Sequence, residues 1–282
     1  MVMSNNWYED LNEYIKLGEP KLEEKTVAWQ TAIGLQAVDG LSVSDYLLKT
    51  AHENIEGKIT NKEANARISN YYEDYCDRNA IEAGTKEADI VAGRITALLA
   101  EKAFSFTPAA WMSIHRYLFK DVFMHAGKIR TYNIYKNEWV LNGKSVFYAS
   151  YDSIPMTMEY DFKTEKAFSY QNLSRDDISR HLAQFTCDIW QIHPFGEGNT
   201  RSTAVFIIKY LSSLGYSISQ ECFAKNSWYF RNALVRANYN DFQNDIYATT
   251  IYLEKFFENL LFGGKNELKN RYLHIAWQDN QK

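Results

Sequence analysis

The chain has 282 residues, enough for one large domain or two small ones with an ordinary core, which excludes a disulfide-stapled miniprotein. Apolar residues make up 46% and charged residues 23%, the balance of a globular chain rather than a disordered or fibrous one. Lys and Arg number 31 against 35 Asp and Glu, a net charge of −4 without the basic excess of proteins that track a phosphate backbone, so nucleic acid is not expected as a main partner.

Glycine (13) and proline (4) are scarce, and because all-β chains spend these residues on turns, a mostly α-helical fold is expected. Cys76, Cys187 and Cys222 lie far apart with no CxxC pair, which suits a reducing compartment. The first residues, MVMSNNWYEDLNEY, hold no apolar signal core, and no run reaches the roughly 18 apolar residues of a membrane span. A soluble cytoplasmic protein with no membrane partner is the expectation.

In chain order, residues 23–39 carry apolar Val27, Ala28, Ile33, Leu35 and Val38 and stop at Gly40, as a helix does before a C′ glycine. After Ser44, Leu47, Leu48, Ala51 and Ile55 recur at helical spacing up to Gly57. Thr60 and Glu63 have the spacing of a capping box, so 21–80 reads as three short helices. The run 85–103 places Ile90, Val91, Ile95, Leu98 and Leu99 on one side, and Thr107-Pro108 opens the next helix, 109–120. Between 128 and 172 the composition turns β-branched and aromatic. There Asn142-Gly143 separates two apolar runs, which predicts one β-hairpin, because both turn positions need positive φ.

Ser174 and Asp177 form a further capping pair, followed by Ile178, Leu182, Phe185 and Ile189, the stripe of an amphipathic helix. The next helix, 199–214, is apolar nearly all round and is expected at the centre of the fold. Two more, 226–238 and 241–262, complete the chain.

The chemistry is concentrated between those two central helices, in His193-Pro194-Phe195-Gly196-Glu197-Gly198-Asn199-Thr200-Arg201. A buried helix N-terminus offers unpaired N–H groups and a positive dipole end, and Gly196 and Gly198 let backbone approach a phosphate. Arg201 is suited to bidentate phosphate binding and Asn199 to an amide contact. Glu197 is a hard oxygen donor for Mg²⁺ shared with phosphates, and His193 is a general base of suitable pKa. A plainer reading gives a capping or core histidine, with Glu197 and Arg201 as a surface pair at i,i+4. Phe195 reads as a packing anchor. His181, Cys187 and His193, each six apart, cannot converge as zinc ligands on a helix, and no Walker or GxGxxG motif is present.

The whole string resembles the signature of the Fic family, H-P-F-x-(D/E)-G-N-(G/K)-R-x-x-R. The segment HAGKIRTYNIYKNEWVLNG (125–143) is similar to the family's approach to its "flap", and the order of elements agrees over about 85–262. The resemblance implies a Fic-fold helical bundle with one β-hairpin flap over 85–282, and transfer of AMP from ATP to a Tyr, Ser or Thr hydroxyl of a target protein, self-modification included. It implies His193 as base, Glu197 as Mg²⁺ ligand, and Gly198, Asn199 and Arg201 around the phosphates, with Phe195 in the core. It places Asn238 against the adenine edge, although that residue equally suits a helix cap. The flap, Leu141, Asn142, Gly143 and Lys144, would take up a target segment as an added strand.

Residues 1–84 resemble the helical, antitoxin-like element of autoinhibited relatives, whose (S/T)-x-x-x-E-(G/N) glutamate grips a second arginine. Here the best match is Leu35-Gln36-Ala37-Val38-Asp39-Gly40, with His52-x-x-x-Glu56-Gly57 as a weaker one, and the second arginine is Ala204. Asp39 is a methylene short and lacks that partner, so weak or absent inhibition is expected. Thr200 in place of Gly or Lys narrows the space beside the phosphates, its hydroxyl then available to bond one of them. Loss of the second arginine keeps other donors, UTP or CDP-choline, in view. A non-catalytic nucleotide- or peptide-binding module is the alternative from another class.

Overall fold

A computed structural model describes residues 6–16, 18–74 and 80–279; Cys76 lies outside these residues. The chain divides into two compact units, the first running to Ala103 and including Phe223–Ser227, the second comprising Phe104–Cys222 and Trp228–Lys282.

The first unit holds α1 (Trp7–Lys16), α2 (Pro20–Gly34), α3 (Asp45–Ile55), α4 (Asn61–Asp74) and α5 (Ala80–Ala100), of which α3 and α4 start at side-chain caps. Ser44 Oγ accepts from Leu47 N at 3.1 Å. The Thr60 and Glu63 pair closes reciprocally, Glu63 N donating to Thr60 Oγ1 (3.2 Å) and Thr60 N to Glu63 Oε2 (2.7 Å), which leaves two of the helix's orphan donors satisfied. The stretch read as one helix to Gly40 is α-helical only to Gly34 and tightens to a 3-10 turn over Leu35–Asp39 before Gly40 (φ 70°) ends it. A Cβ on Gly34 would lie 2.4 Å from the Ala224 carbonyl oxygen, so a side chain there is excluded by backbone approach. Helix α5 packs along α2 and α4. Helix α1 carried no cap or glycine signal, and its buried Tyr8 and Leu11 alone mark its inner face.

The second unit holds α6 (Pro108–Phe119), α7 (Ile154–Ala167), α8 (Arg175–Ile192), α9 (Asn199–Ser213), most of α10 (Gln220–Ala237), α11 (Ile251–Phe262) and the short α12 (Ile275–Asp279). Thr107 and Ser174 cap α6 and α8 through their hydroxyls, as their positions predicted. Helix α9 is buried at every position from Asn199 to Leu211, the expected central helix. Around it Trp111, Phe162, Phe195 and Phe206 pack ring against ring, each with 4% or less of its surface exposed; a buried aromatic of this kind contributes about 1.5–3 kcal/mol.

Three expectations are corrected. Helix α7 falls inside the β-branched and aromatic stretch, where no helix was expected; Pro155 in its first turn and the spacing of buried Ile154, Met158, Phe162 and Glu165 make it helical. The predicted helix 241–262 begins only at Ile251, because Asp241 pairs with Ile246 and Asn244 Nδ2 donates to Asp241 Oδ2 (3.0 Å), local bonds that compete with a helix. Finally, no strand occurs among the described residues, so the hairpin at Leu141–Lys144 is a turn without a ladder. Asn142 (φ 53°) and Gly143 (φ 82°) do adopt positive φ, and Glu138 N donates to Lys144 O at 3.0 Å. Pairing then stops: Lys136 N donates to the Ser145 hydroxyl (3.1 Å), and the fully buried Val140 and Leu141 turn inward in a 3-10 turn.

Candidate active site

Helix α8 ends where His193 takes the left-handed conformation (φ 46°, ψ 58°), which costs a residue with a Cβ about 1–2 kcal/mol and reverses the chain toward α9. The loop that follows is held by its own groups. Phe195 N donates to Asn199 Oδ1 (3.0 Å) and Asn199 Nδ2 donates to the Phe195 carbonyl (2.8 Å), so the Asn199 amide, expected as a phosphate contact, braces the loop and keeps a second N–H. The Phe195 ring, fully buried, stacks on His115 at 3.7 Å between centroids. His115 Nε2 donates to the Glu197 carbonyl (2.9 Å) while its Nδ1 accepts from Gly127 N (2.9 Å), which fixes its neutral tautomer; burial lowers its pKa to about 3. His125 Nε2 accepts from Glu197 N at 3.2 Å.

Gly198 is required, and Gly196 is closely approached. Gly198 has φ 76°, and a Cβ there would sit 2.4 Å from the Phe119 ring; a Cβ on Gly196 would sit 2.8 Å from the Tyr132 hydroxyl. The first bond inside α9 runs from Ser202 N to the Gly198 carbonyl, so the N–H groups before it form the open, positive end of a buried helix. Arg201, 1% exposed, lies with its guanidinium 4.8 Å from the Phe119 ring centroid.

His193 is held in one tautomer. Its Nδ1 lies 2.9 Å from the Trp190 carbonyl, which can only accept, so Nδ1 carries the proton and Nε2 keeps a lone pair. Burial, then the charge of Lys136, holds its pKa well below the ordinary imidazole value. Its ring packs on Tyr148 (4.1 Å) and Trp190 (4.8 Å). Trp190 Nε1 in turn donates to Thr200 Oγ1 at 3.0 Å, so this oxygen, expected near a phosphate, steadies the base's neighbour.

Glu197 points outward, its side chain 54% exposed, and Oε2 accepts from Lys136 Nζ at 2.9 Å. Among the described residues no three His, Cys, Asp or Glu side chains converge on a metal. One exposed carboxylate beside an anion-binding helix end fits Mg²⁺ that takes its remaining ligands from phosphate and water.

Residues 105–211 match the Fic/DOC family. The chain contains a Fic domain. Over 116 residues it is 25% identical to a probable protein adenylyltransferase Fic of Salmonella typhimurium, covering 41% of this chain and 55% of that protein. Over 105 residues it is 30% identical to the protein adenylyltransferase VbhT of Bartonella schoenbuchensis, covering 37% of this chain and 21% of that protein. The matches thus span about half or less of these relatives. In fold it is similar to the ADP-bound N-terminal Fic domain of a putative cell filamentation protein from Bartonella quintana (TM-score 0.52, 20% identity, 68% of this chain and 90% of that one). It is similar also to a Fic family protein from Desulfovibrio desulfuricans (TM-score 0.52, 13% identity, 98% of this chain and 74% of that one).

Within the Fic domain, His193, Gly196, Glu197, Gly198, Asn199, Thr200 and Arg201 thus share one loop and helix end. Asn238 caps α10, its Nδ2 donating to the Leu234 carbonyl (3.0 Å) as the capping alternative expects. Lys144 pairs with Asp241 at 2.6 Å. Asp39 and Gly40 close the 3-10 turn of the first unit, both exposed. Sequence reasoning missed Arg130, whose Nε donates to His193 O (2.7 Å), NH1 to Tyr132 O (2.6 Å) and NH2 to the carbonyls of Ala149 (2.5 Å) and Ile192 (3.2 Å). It also missed Glu138, fully buried, which accepts from Arg231 (3.1 Å) and from Tyr148 Oη (3.3 Å). Only long-range contact reveals both, since neither lies at a cap or in a periodic pattern.

Proposed function

We propose that the domain transfers AMP from ATP to a Tyr, Ser or Thr hydroxyl of a protein, its own tyrosines included. The observation that carries this reading is a neutral His193 with its free Nε2 beside the N-terminus of a buried helix. Nε2 takes the proton of the target hydroxyl, the oxygen bonds to the α-phosphorus, and the bond to the β-phosphate oxygen breaks, releasing pyrophosphate with the electron pair. The α9 N-terminus and Arg201 stabilise the charge on the phosphate oxygens. Glu197 would hold Mg²⁺, which supplies charge neutralisation across the phosphates. Exposed Tyr132, Tyr135, Trp139 and Phe147 of the segment 130–149 offer a docking face for the target segment; backbone pairing along this stretch would add it as a strand.

The test is incubation with labelled ATP and Mg²⁺: His193→Ala should lose roughly 10²–10⁴-fold in transfer rate, and undiminished label would remove His193 as base. Asn238, spent on its own helix, leaves base recognition open and keeps a second reading in play, so CTP, UTP and CDP-choline belong in the same panel. Label from none of the four would favour a binding module without turnover. Glu-type autoinhibition we read as weak or absent: Asp39→Ala should transfer at the wild-type rate, and strong activation would show a working brake.

A further inference from the structure

The cations placed around the His193–Arg201 loop differ in what they have left to give. Arg130 spends its guanidinium on four backbone carbonyls and Arg231 lies on buried Glu138. His115 and His193 are held neutral by burial. Arg201 is 1% exposed at the helix end. Lys136 is different. Its Nζ reaches Glu197 Oε2 at 2.9 Å with 23% of its side chain exposed, and it stands close enough to His193 to weigh on the charge of that ring. Its backbone is fixed, N–H to Ser145 Oγ at 3.1 Å, so the ammonium is delivered from a tethered position. An ammonium carries three donors, and the Glu197 contact uses one.

We propose that Lys136 is a phosphate-binding residue of this site, its ammonium bridging the Glu197 carboxylate and a nucleotide phosphate. This rests on the nucleotidyl-transfer reading above. A triphosphate brings about four negative charges, and a single buried arginine with a helix end leaves much of that charge to other cations. Lys136 would meet a phosphate from the exposed side of the loop, where it already holds Glu197. Its pairing with Glu197 also places a positive charge where a divalent cation would otherwise be the sole compensation for that carboxylate.

The experiment is calorimetric titration of the full chain with ATP, ADP and adenosine, with and without Mg²⁺. Lys136→Met should weaken ATP binding by about tenfold, the scale of one charge-assisted hydrogen bond, and leave adenosine binding unchanged. Lys136→Arg should recover most of the loss. The melting temperature should stay within about 2 °C of wild type, since a partly exposed ion pair contributes little to folding. Equal ATP affinity in wild type and Lys136→Met overturns the proposal while leaving the transfer reading intact. Equal weakening toward adenosine also overturns it, by showing a structural role. Wild-type protein that binds neither ATP nor ADP removes both readings at once.

Discussion

The two stretches that frame the site, the motif loop 193–199 and the segment 130–149, are built on opposite rules. In the loop the backbone is held by side chains from several elements: Phe195 by Asn199, Glu197 by His115 and His125, the His193 carbonyl by Arg130. The segment has no strand, few bonds of its own, and aromatic rings turned to solvent, Phe147 at 85% exposure. The base and anion site proposed for the loop need fixed geometry, whereas the docking surface proposed for the segment needs accessible apolar area. The segment is therefore tied down at its ends and at the buried turn around Val140 and Leu141, and open between them.

The comparison breaks most completely at Gly198. Gly198→Ala places a Cβ at positive φ and within 2.4 Å of Phe119, whose ring also faces Arg201. The loop must shift, so transfer should fall at least 10²-fold, with about 2–3 kcal/mol lost by denaturant titration. Transfer at wild-type rate would show that the loop tolerates displacement and is not the rigid partner described above.

The next largest effect is expected at Arg130, the joint between the two stretches. Arg130→Met keeps the stem and removes the donors from four carbonyls, a loss of about 3 kcal/mol measured by chemical unfolding, with transfer falling because His193 and Tyr132 lose their common anchor. Arg130→Lys should not rescue, since one ammonium cannot span carbonyls that a planar guanidinium reaches on several sides. A stable Arg130→Met with full activity would show that the segment and the loop act independently.

What the sequence made legible follows the same division. The loop could be read because its chemistry is contiguous: helix end, glycines, carboxylate and histidine fall within nine residues, and the flanking helices announce themselves by caps at Ser174 and by the apolar run of α9. The roles inside the loop were less legible. Asn199 and Thr200 have the polar atoms of phosphate ligands, and the described bonds give each a second task that no pattern announces, Asn199 on the Phe195 backbone and the Thr200 oxygen on Trp190. The segment misled because Asn142-Gly143 correctly predicts the local turn, while the ladder depends on partners that Ser145 and the buried Val140 and Leu141 divert. Arg130, Lys136 and Glu138 act across 60 to 90 residues of chain, beyond any local pattern.

The smallest effect expected is one of pH, and it tests whether the open segment nonetheless seals the base. The His193 ring is covered from the loop side by Trp190 and from the segment side by Tyr148, and burial keeps its pKa well below the ordinary value. Because the folded pKa is depressed, the imidazole stays neutral as pH falls through about 6.5, where a free histidine is half protonated. The unfolded chain takes up that proton, so this histidine's contribution to stability is present above pH 6.5 and declines below it, by about 1.4 kcal/mol per pH unit. Imidazole nitrogen NMR should find His193 neutral at pH 5.5, where an ordinary ring is about 90% protonated. Tyr148→Ala removes the cover contributed by the segment and should raise the midpoint toward 6.5. A wild-type midpoint already near 6.5 would mean that water reaches the ring past Tyr148, and that the segment encloses nothing even where it touches the loop.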